Sequence, residues 1–231
     1  MKPVIWLIPG LLGDSSHFGE LPQLLGDCQL VSPLQFSDSS TLAEAAGNLA
    51  QLAIASGVRP HLVGYSLGGR LALQAGIMAP NSFASITALS AHPGLQNTDE
   101  RARRISEDRH WAQELRRNFA SFWKEWCQRA VLKDSPEPSL GNVDEAQRKN
   151  WANILEKWST SQQLFFPPLL AASPAAYMHV VGSEDTAYVT HQSIFPENVK
   201  KVVVPNAGHR IPLQKPHELA ALITPFLREN P

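Results

Sequence analysis

The stretch that most restricts the fold of this chain is His61-Leu62-Val63-Gly64-Tyr65-Ser66-Leu67-Gly68-Gly69-Arg70. A short apolar run ends in Gly-x-Ser-x-Gly, and apolar residues at helical spacing follow from Leu67 to Met78. A strand that becomes a helix within a residue or two forces the intervening serine into a sharp bend. Flanking glycines remove the Cβ atoms that would block that bend. The Ser66 hydroxyl is then expected at the strand's carboxyl end, near the free amides and positive dipole end of the helix. The plainer alternative makes Ser66 only an N-cap for the helix that starts at Leu67.

Strand-like runs recur around this unit. Val4 to Ile8 is apolar and ends at Pro9-Gly10, which reads as a strand buried on both faces. Leu30-Val31, Ile86 to Leu89, Met178 to Val181 and Val202 to Val204 are similar, each ending at a loop-forming residue. Helical patterns cover Leu42 to Ala55 after Ser40-Thr41, Leu67 to Met78, and Pro216 to Leu227. Strand alternating with helix predicts a mostly parallel sheet flanked by helices. Residues 97–161 differ, with Arg-rich helical periodicity and no strand, and Asp134-Ser135-Pro136-Glu137-Pro138-Ser139 splits them in two. The expected organisation is a core of residues 1–96 and 162–231 with a helical insertion, 97–161. That insertion is either a lid over the sheet edge or an ordinary pair of amphipathic helices on its side.

A serine hydroxyl needs a base at neutral pH, and the base needs an orienting carboxylate, so Asp or Glu and then His should follow Ser66 in the chain. Val180-Val181-Gly182-Ser183-Glu184-Asp185 puts Asp185 just past one strand, with Glu184 as the competing carboxylate. Asn206-Ala207-Gly208-His209 puts His209 just past the next. Both reach the carboxyl edge of the sheet. Of the 8 histidines, His61 and His179 fall within strands, and His17, His92, His110, His191 and His217 are expected in solvated loops or helices. After the first strand, Ile8-Pro9-Gly10-Leu11-Leu12-Gly13 offers the Leu11 amide as one oxyanion donor, with the Leu67 amide as the other.

Composition narrows the function. With 231 residues, 43% of them hydrophobic, the chain can bury a substantial core as one domain with an insertion. Lys+Arg 20 against Asp+Glu 21 gives a formal charge of -1, so no global field favours nucleic acid or an anionic membrane surface. Two cysteines, Cys28 and Cys127, lack metal-ligand spacing and disulfide density, which suits a reducing compartment. Lys2 precedes an apolar run, but Pro9-Gly10 interrupts it with no cleavage site beyond, and no apolar stretch approaches the roughly 20 residues of a membrane span. The expectation is a soluble, cytoplasmic protein with no metal or cofactor and no nucleic-acid partner. Monomer is plausible, but the sequence leaves the oligomeric state open.

These elements resemble the α/β-hydrolase fold, without its usual leading β-hairpin. Two runs narrow the resemblance: Val63 to Arg70, and His92-Pro93-Gly94-Leu95-Gln96-Asn97 followed by a helix with Arg101, Arg103, Arg104 and Arg109. Together they are similar to the 2-succinyl-6-hydroxy-2,4-cyclohexadiene-1-carboxylate synthase family of menaquinone and phylloquinone biosynthesis. The resemblance implies cofactor-free elimination of pyruvate from 2-succinyl-5-enolpyruvyl-6-hydroxy-3-cyclohexene-1-carboxylate, a small polycarboxylate. It implies a triad of Ser66, Asp185 and His209, and substrate contacts from Tyr65, Arg70, Arg104 and Trp126, with Trp123 competing for the last. The register puts Leu155 where the family carries a further arginine, and Pro9 where a His commonly precedes the glycine. Arg104 could instead serve only in helix-surface pairing with Glu100 and Asp108. A carboxylester or thioester hydrolase working through an acyl-serine is the alternative enzyme. A binding scaffold without catalysis is the remaining class.

Overall fold

The computed structural model describes residues 3–132, 135–138 and 143–231. Six strands form one sheet: β1 (Ile5–Ile8), β2 (Cys28–Leu30), β3 (His61–Tyr65), β4 (Ile86–Leu89), β5 (Tyr177–Gly182) and β6 (Val199–Val204). Their order is β2-β1-β3-β4-β5-β6 and every pairing is parallel. All carboxyl ends therefore lie on one edge, and the chain reverses its direction of travel across the sheet between β1 and β3. Ligands of open parallel sheets bind outside such a switch point.

The apolar runs became strands because a parallel sheet covered on both faces buries every side chain: β1, β3, β4 and β5 are buried throughout. The edge strands depart from that pattern. β2 comprises Cys28–Leu30 rather than Leu30-Val31 and is half exposed, since it pairs only with β1; Val31 continues the ladder by donating its N–H to the Leu7 carbonyl at 2.9 Å.

The helices are α1 (Leu21–Leu25), α2 (Leu42–Ser56), α3 (Leu67–Met78), α4 (Thr98–Arg117), α5 (Phe119–Cys127), α6 (Glu145–Lys157), α7 (Pro167–Ala172), α8 (Thr186–Gln192), α9 (Ile211–Gln214) and α10 (Pro216–Glu229). Local chemistry sets the ends of α2: Thr41 Oγ1 accepts the Glu44 N–H, and Gly57 at φ 70 closes it. α3 carries almost no polar face because it is sandwiched between the sheet and α2, and ten of its residues are buried. Between β4 and α7 the regular elements among the described residues are all helices: α4, capped by Asn97, breaks at Asn118 into α5, and α6 opens with a capping box of Asp144 and Gln147. The expected break at 134–139 falls between α5 and α6; Asp134 and Ser139, like Lys2, lie outside the described residues. No helix among the described residues is long and apolar enough to cross a membrane.

His179, on β5, is buried completely. It donates from Nε2 to the Ala91 carbonyl at 2.9 Å, and its ring stacks on Phe195. Loss of hydration penalises its charged form and lowers its pKa to about 4. The folded state then binds fewer protons than the unfolded one between about pH 6.5 and 4, so stability present above pH 6.5 is lost as pH falls through that window. The loss is on the order of 3 kcal/mol at the acid end. His17, also lowered to about 4 by burial, adds a loss over the same range. Urea midpoints at pH 7.5 and 4.5 should therefore differ less in His179→Gln than in the wild type.

Candidate active site

Ser66 joins β3 to α3 at φ 53 and ψ -110, a conformation costing about 1 to 3 kcal/mol for a residue with a Cβ. The glycines around it are required by contact. A Cβ on Gly64 would lie 2.3 Å from the Gly68 carbonyl oxygen, and one on Gly68 would lie 2.0 Å from that of Ile8. The first turn of α3 thus sits in backbone contact with the end of β1. Ser66 makes no side-chain cap bond, which overturns the N-cap alternative. Its Oγ instead faces His209 Nε2 at 3.2 Å.

His209 follows β6, and its Nδ1 lies 2.7 Å from Asp185 Oδ2. A carboxylate can only accept, so Nδ1 carries the proton and Nε2 is free to accept from the serine hydroxyl. Asp185 and His209 are buried, whereas the competing Glu184 is exposed and uses its N–H on the Ala207 carbonyl. Tyr188, one turn into α8, sets its ring edge against His209 at 4.6 Å.

Leu11 and Leu67 also meet here. Gly10 to Gly13 form a turn closed by the Gly13 N–H on the Gly10 carbonyl, with Leu12 at φ 60. The second residue of such a turn does not use its amide in closing it. Leu67 is the first residue of α3, whose amide has no partner within the helix. Both residues line a cavity of about 270 Å³ that Ser66 and His209 share.

The cavity wall is strongly cationic. Its described lining residues include four guanidiniums, those of Arg70, Arg104, Arg129 and Arg210, and one carboxylate, Asp108. Arg104 Nε donates to both Asp108 oxygens, at 2.8 and 2.9 Å, so the helix pairing and the cavity position hold together. Arg70 is buried, and burial followed by repulsion from Arg104 brings its pKa down to about 10. Its Nη1 donates to Thr160 Oγ1 and Gln163 Oε1, and its Nη2 to the Trp158 carbonyl. Both Nη groups that the sequence reading offered to a substrate are thus bonded to neutral protein acceptors. Arg101 likewise grips the carbonyls of Ser161 and Gln163.

Trp126 and Trp123 both line the cavity, and Trp126 stacks on Phe122 with centroids 5.4 Å apart. Tyr65 is buried with its ring edge against His17 at 5.6 Å, and burial raises its phenol pKa. His17 and His92 correct the expectation of solvated histidines: both are buried cavity residues. His92 Nδ1 accepts the Gly94 N–H at 3.0 Å, and burial, then repulsion from His191, holds the ring well below its ordinary pKa. Arg129, Arg210, Tyr188 and His17 were missed from sequence. Only Arg210 carried a signal, its place beside His209. No group of His, Cys, Asp and Glu fit for a metal ion occurs among the described residues.

The chain is similar to several known proteins. The 2-succinyl-6-hydroxy-2,4-cyclohexadiene-1-carboxylate synthase of Escherichia coli O1:K1 / APEC is 29% identical over 172 residues, covering 72% of this chain and 68% of that protein. Its counterpart in Shigella sonnei (strain Ss046) is 28% identical over 172 residues, with the same 72% and 68% covered. These relatives bear out the family resemblance carried by the Val63–Arg70 and His92–Asn97 runs. Among solved structures, MenH from S. aureus superposes with a TM-score of 0.83 at 20% identity, over 100% of this chain and 95% of that one. A thermophilic esterase from Thermogutta terrifontis gives 0.73 at 18% identity, over 98% and 90%. At such identities the two speak for the fold. The profile of the alpha/beta hydrolase family matches residues 7–222, from the first strand into the last helix. Since that match takes in the whole sheet edge on which Ser66, Asp185 and His209 converge, the chain belongs to the alpha/beta hydrolase family.

Proposed function

We propose that this chain is a lyase that eliminates pyruvate from 2-succinyl-5-enolpyruvyl-6-hydroxy-3-cyclohexene-1-carboxylate, as the names of its curated relatives suggest. The observation that carries the reading is the charge of the cavity: four guanidiniums against one carboxylate, in a chain whose formal charge is -1. A tricarboxylate meets that excess; a neutral ester does not. Residues 97–161 act as the lid over the core of 1–96 and 162–231. No cofactor is needed, because the leaving group departs on an electron pair that a base makes available.

In the proposed reaction, His209 takes the Ser66 proton and Ser66 Oγ removes the ring proton next to the succinyl ketone. Asp185 orients His209 and stabilises its charge. The enolate oxygen is held by the Leu11 and Leu67 amides. Its electrons return through the ring, the double bond shifts, and the ring carbon–oxygen bond breaks to release the enolate of pyruvate, which takes up a proton. Arg104, Tyr65 and Trp126 position the ring and its carboxylates. Incubating the protein with the enolpyruvyl substrate and following pyruvate release tests the reading. The acyl-serine hydrolase reading draws support from the Ser66–His209 distance of 3.2 Å, which suits acyl transfer equally well. A stoichiometric burst with an activated ester, and no pyruvate release, would establish that reading instead.

Arg70 gives a sharper test, since it both adds charge to the cavity and holds residues 158–163. Arg70→Ala leaves buried acceptors on Trp158, Thr160 and Gln163 without their donor, at about 1 to 3 kcal/mol of stability. It should also lower kcat/KM for the tricarboxylate by roughly 10-fold to 150-fold, more than for a small neutral ester. Arg70→Lys should recover part of both. Equal losses on the two substrates, tracking the fall in thermal midpoint, would make Arg70 a structural residue only.

A further inference from the structure

Arg129 lies outside the triad and outside the residues that the family resemblance assigns to substrate. It sits in the turn after α5, where its guanidinium carbon is 4.4 Å from the centre of the Trp126 ring and 5.8 Å from that of Trp111. Those rings are themselves fixed edge to face, 5.4 Å apart, so Arg129 is held on an aromatic shelf rather than free in solvent. It forms no ion pair with a carboxylate among the described residues, yet it lines the same cavity as Arg104, near enough for the charge of Arg104 to act on it. Asp108, the one carboxylate lining this cavity among the described residues, is already gripped on both oxygens by Arg104. Helix α6, packed against α4, contributes Leu155 to the cavity and no cation among the described residues.

We infer that Arg129 and Arg104 form one anion subsite on the helical wall, and that Arg129 sets the preference of this enzyme for a polycarboxylate by taking one ligand carboxylate there. Two like charges on a half-buried wall repel one another, and burial together with Arg104 lowers the Arg129 pKa. An anion between them removes the repulsion and replaces the hydration each lost. The Trp126 ring 4.4 Å from the guanidinium carbon restrains the side chain before the ligand arrives, so less side-chain entropy is lost on binding. Trp126 would then act on substrate through Arg129 as well as by direct contact.

The inference rests on the polycarboxylate reading, and the experiment separates the two. Binding of propane-1,2,3-tricarboxylate is measured by tryptophan fluorescence for the wild type, Arg129→Gln and Arg129→Lys. Thermal midpoints and, with the enolpyruvyl substrate, kcat and KM are measured alongside. Arg129→Gln should weaken tricarboxylate binding and raise KM at least about 10-fold, with kcat falling far less. Arg129→Lys should restore part of the loss, because it keeps the charge without the planar fork. Wild-type binding without pyruvate release would reject the lyase while leaving the Arg129 contrast to decide the subsite. Binding and KM within two-fold of wild type in Arg129→Gln would overturn the subsite. So would equal weakening in Arg129→Gln and Arg129→Lys with a matching fall in midpoint, and so would wild-type protein that shows neither tricarboxylate binding nor an Arg129-dependent KM.

Discussion

Ser66→Ala is expected to lower pyruvate release by about three orders of magnitude or more while leaving the thermal midpoint close to that of the wild type. The hydroxyl makes no cap bond and its described partner is His209, so the fold loses little with it. The proposed reaction loses the atom that takes the ring proton. His209→Ala should cost a similar factor, and the double variant little more than either single one, because residues that act as a unit are strongly non-additive. Turnover by Ser66→Ala near the wild-type level would remove the serine from the reaction and leave His209 acting through water. Additive losses in the double variant would show that the two do not share one step.

Gly68→Ala is expected to be severely damaging although it adds a single methyl group. The new Cβ would lie 2.0 Å from the Ile8 carbonyl oxygen and 2.5 Å from that of Pro9, and both obstacles are backbone. The start of α3 must move away from the end of β1, which costs about 3 kcal/mol or more, roughly 6 to 12 °C in midpoint for a chain of this size. The same displacement separates the Leu67 amide from Leu11, so the surviving folded protein should also turn over poorly. Gly47→Ala, inside α2 with only Met78 Cε at 4.0 Å, is the control and should stabilise by about 0.5 to 1 kcal/mol. Gly68→Ala protein with an unchanged midpoint would mean that this contact is looser than the structure has it.

How far the sequence could be read depends on how local each signal is. Ser66 was legible because its bend requires glycines at fixed neighbouring positions, and Asp185 and His209 because each follows a buried apolar run at a known edge. The six strands were legible for the same reason, with β2 displaced because an edge strand buries too little to show a continuous run. His17 and His92 were misread because nothing near them in the chain announces burial; the cover comes from distant elements. Arg129 and Arg210 reach the cavity from a turn and from beside the base, positions without periodicity. Arg70 was correctly put on the Ser66 face of α3, but its bonds to Trp158, Thr160 and Gln163 are made some ninety residues along the chain. No spacing rule reaches that far.

The order of strands has a consequence for how such a protein can diverge. β4 and β5 are hydrogen-bonded neighbours, Ile86 opposite Tyr177, although nearly ninety residues separate them in the chain. The helices that carry Arg104 and Trp126, and the turn that carries Arg129, lie in the chain between these two adjacent rails, so lengthening, shortening or exchanging them need not alter the strand register. In the proposed reaction the helical part of the binding site thus lies on a different stretch of chain from Ser66, Asp185 and His209, while Tyr65 and Arg70 stay with the core. Descendants of one ancestor can acquire new substrates by rewriting the segment between β4 and β5 while β3, β5 and β6 keep presenting the same serine, aspartate and histidine.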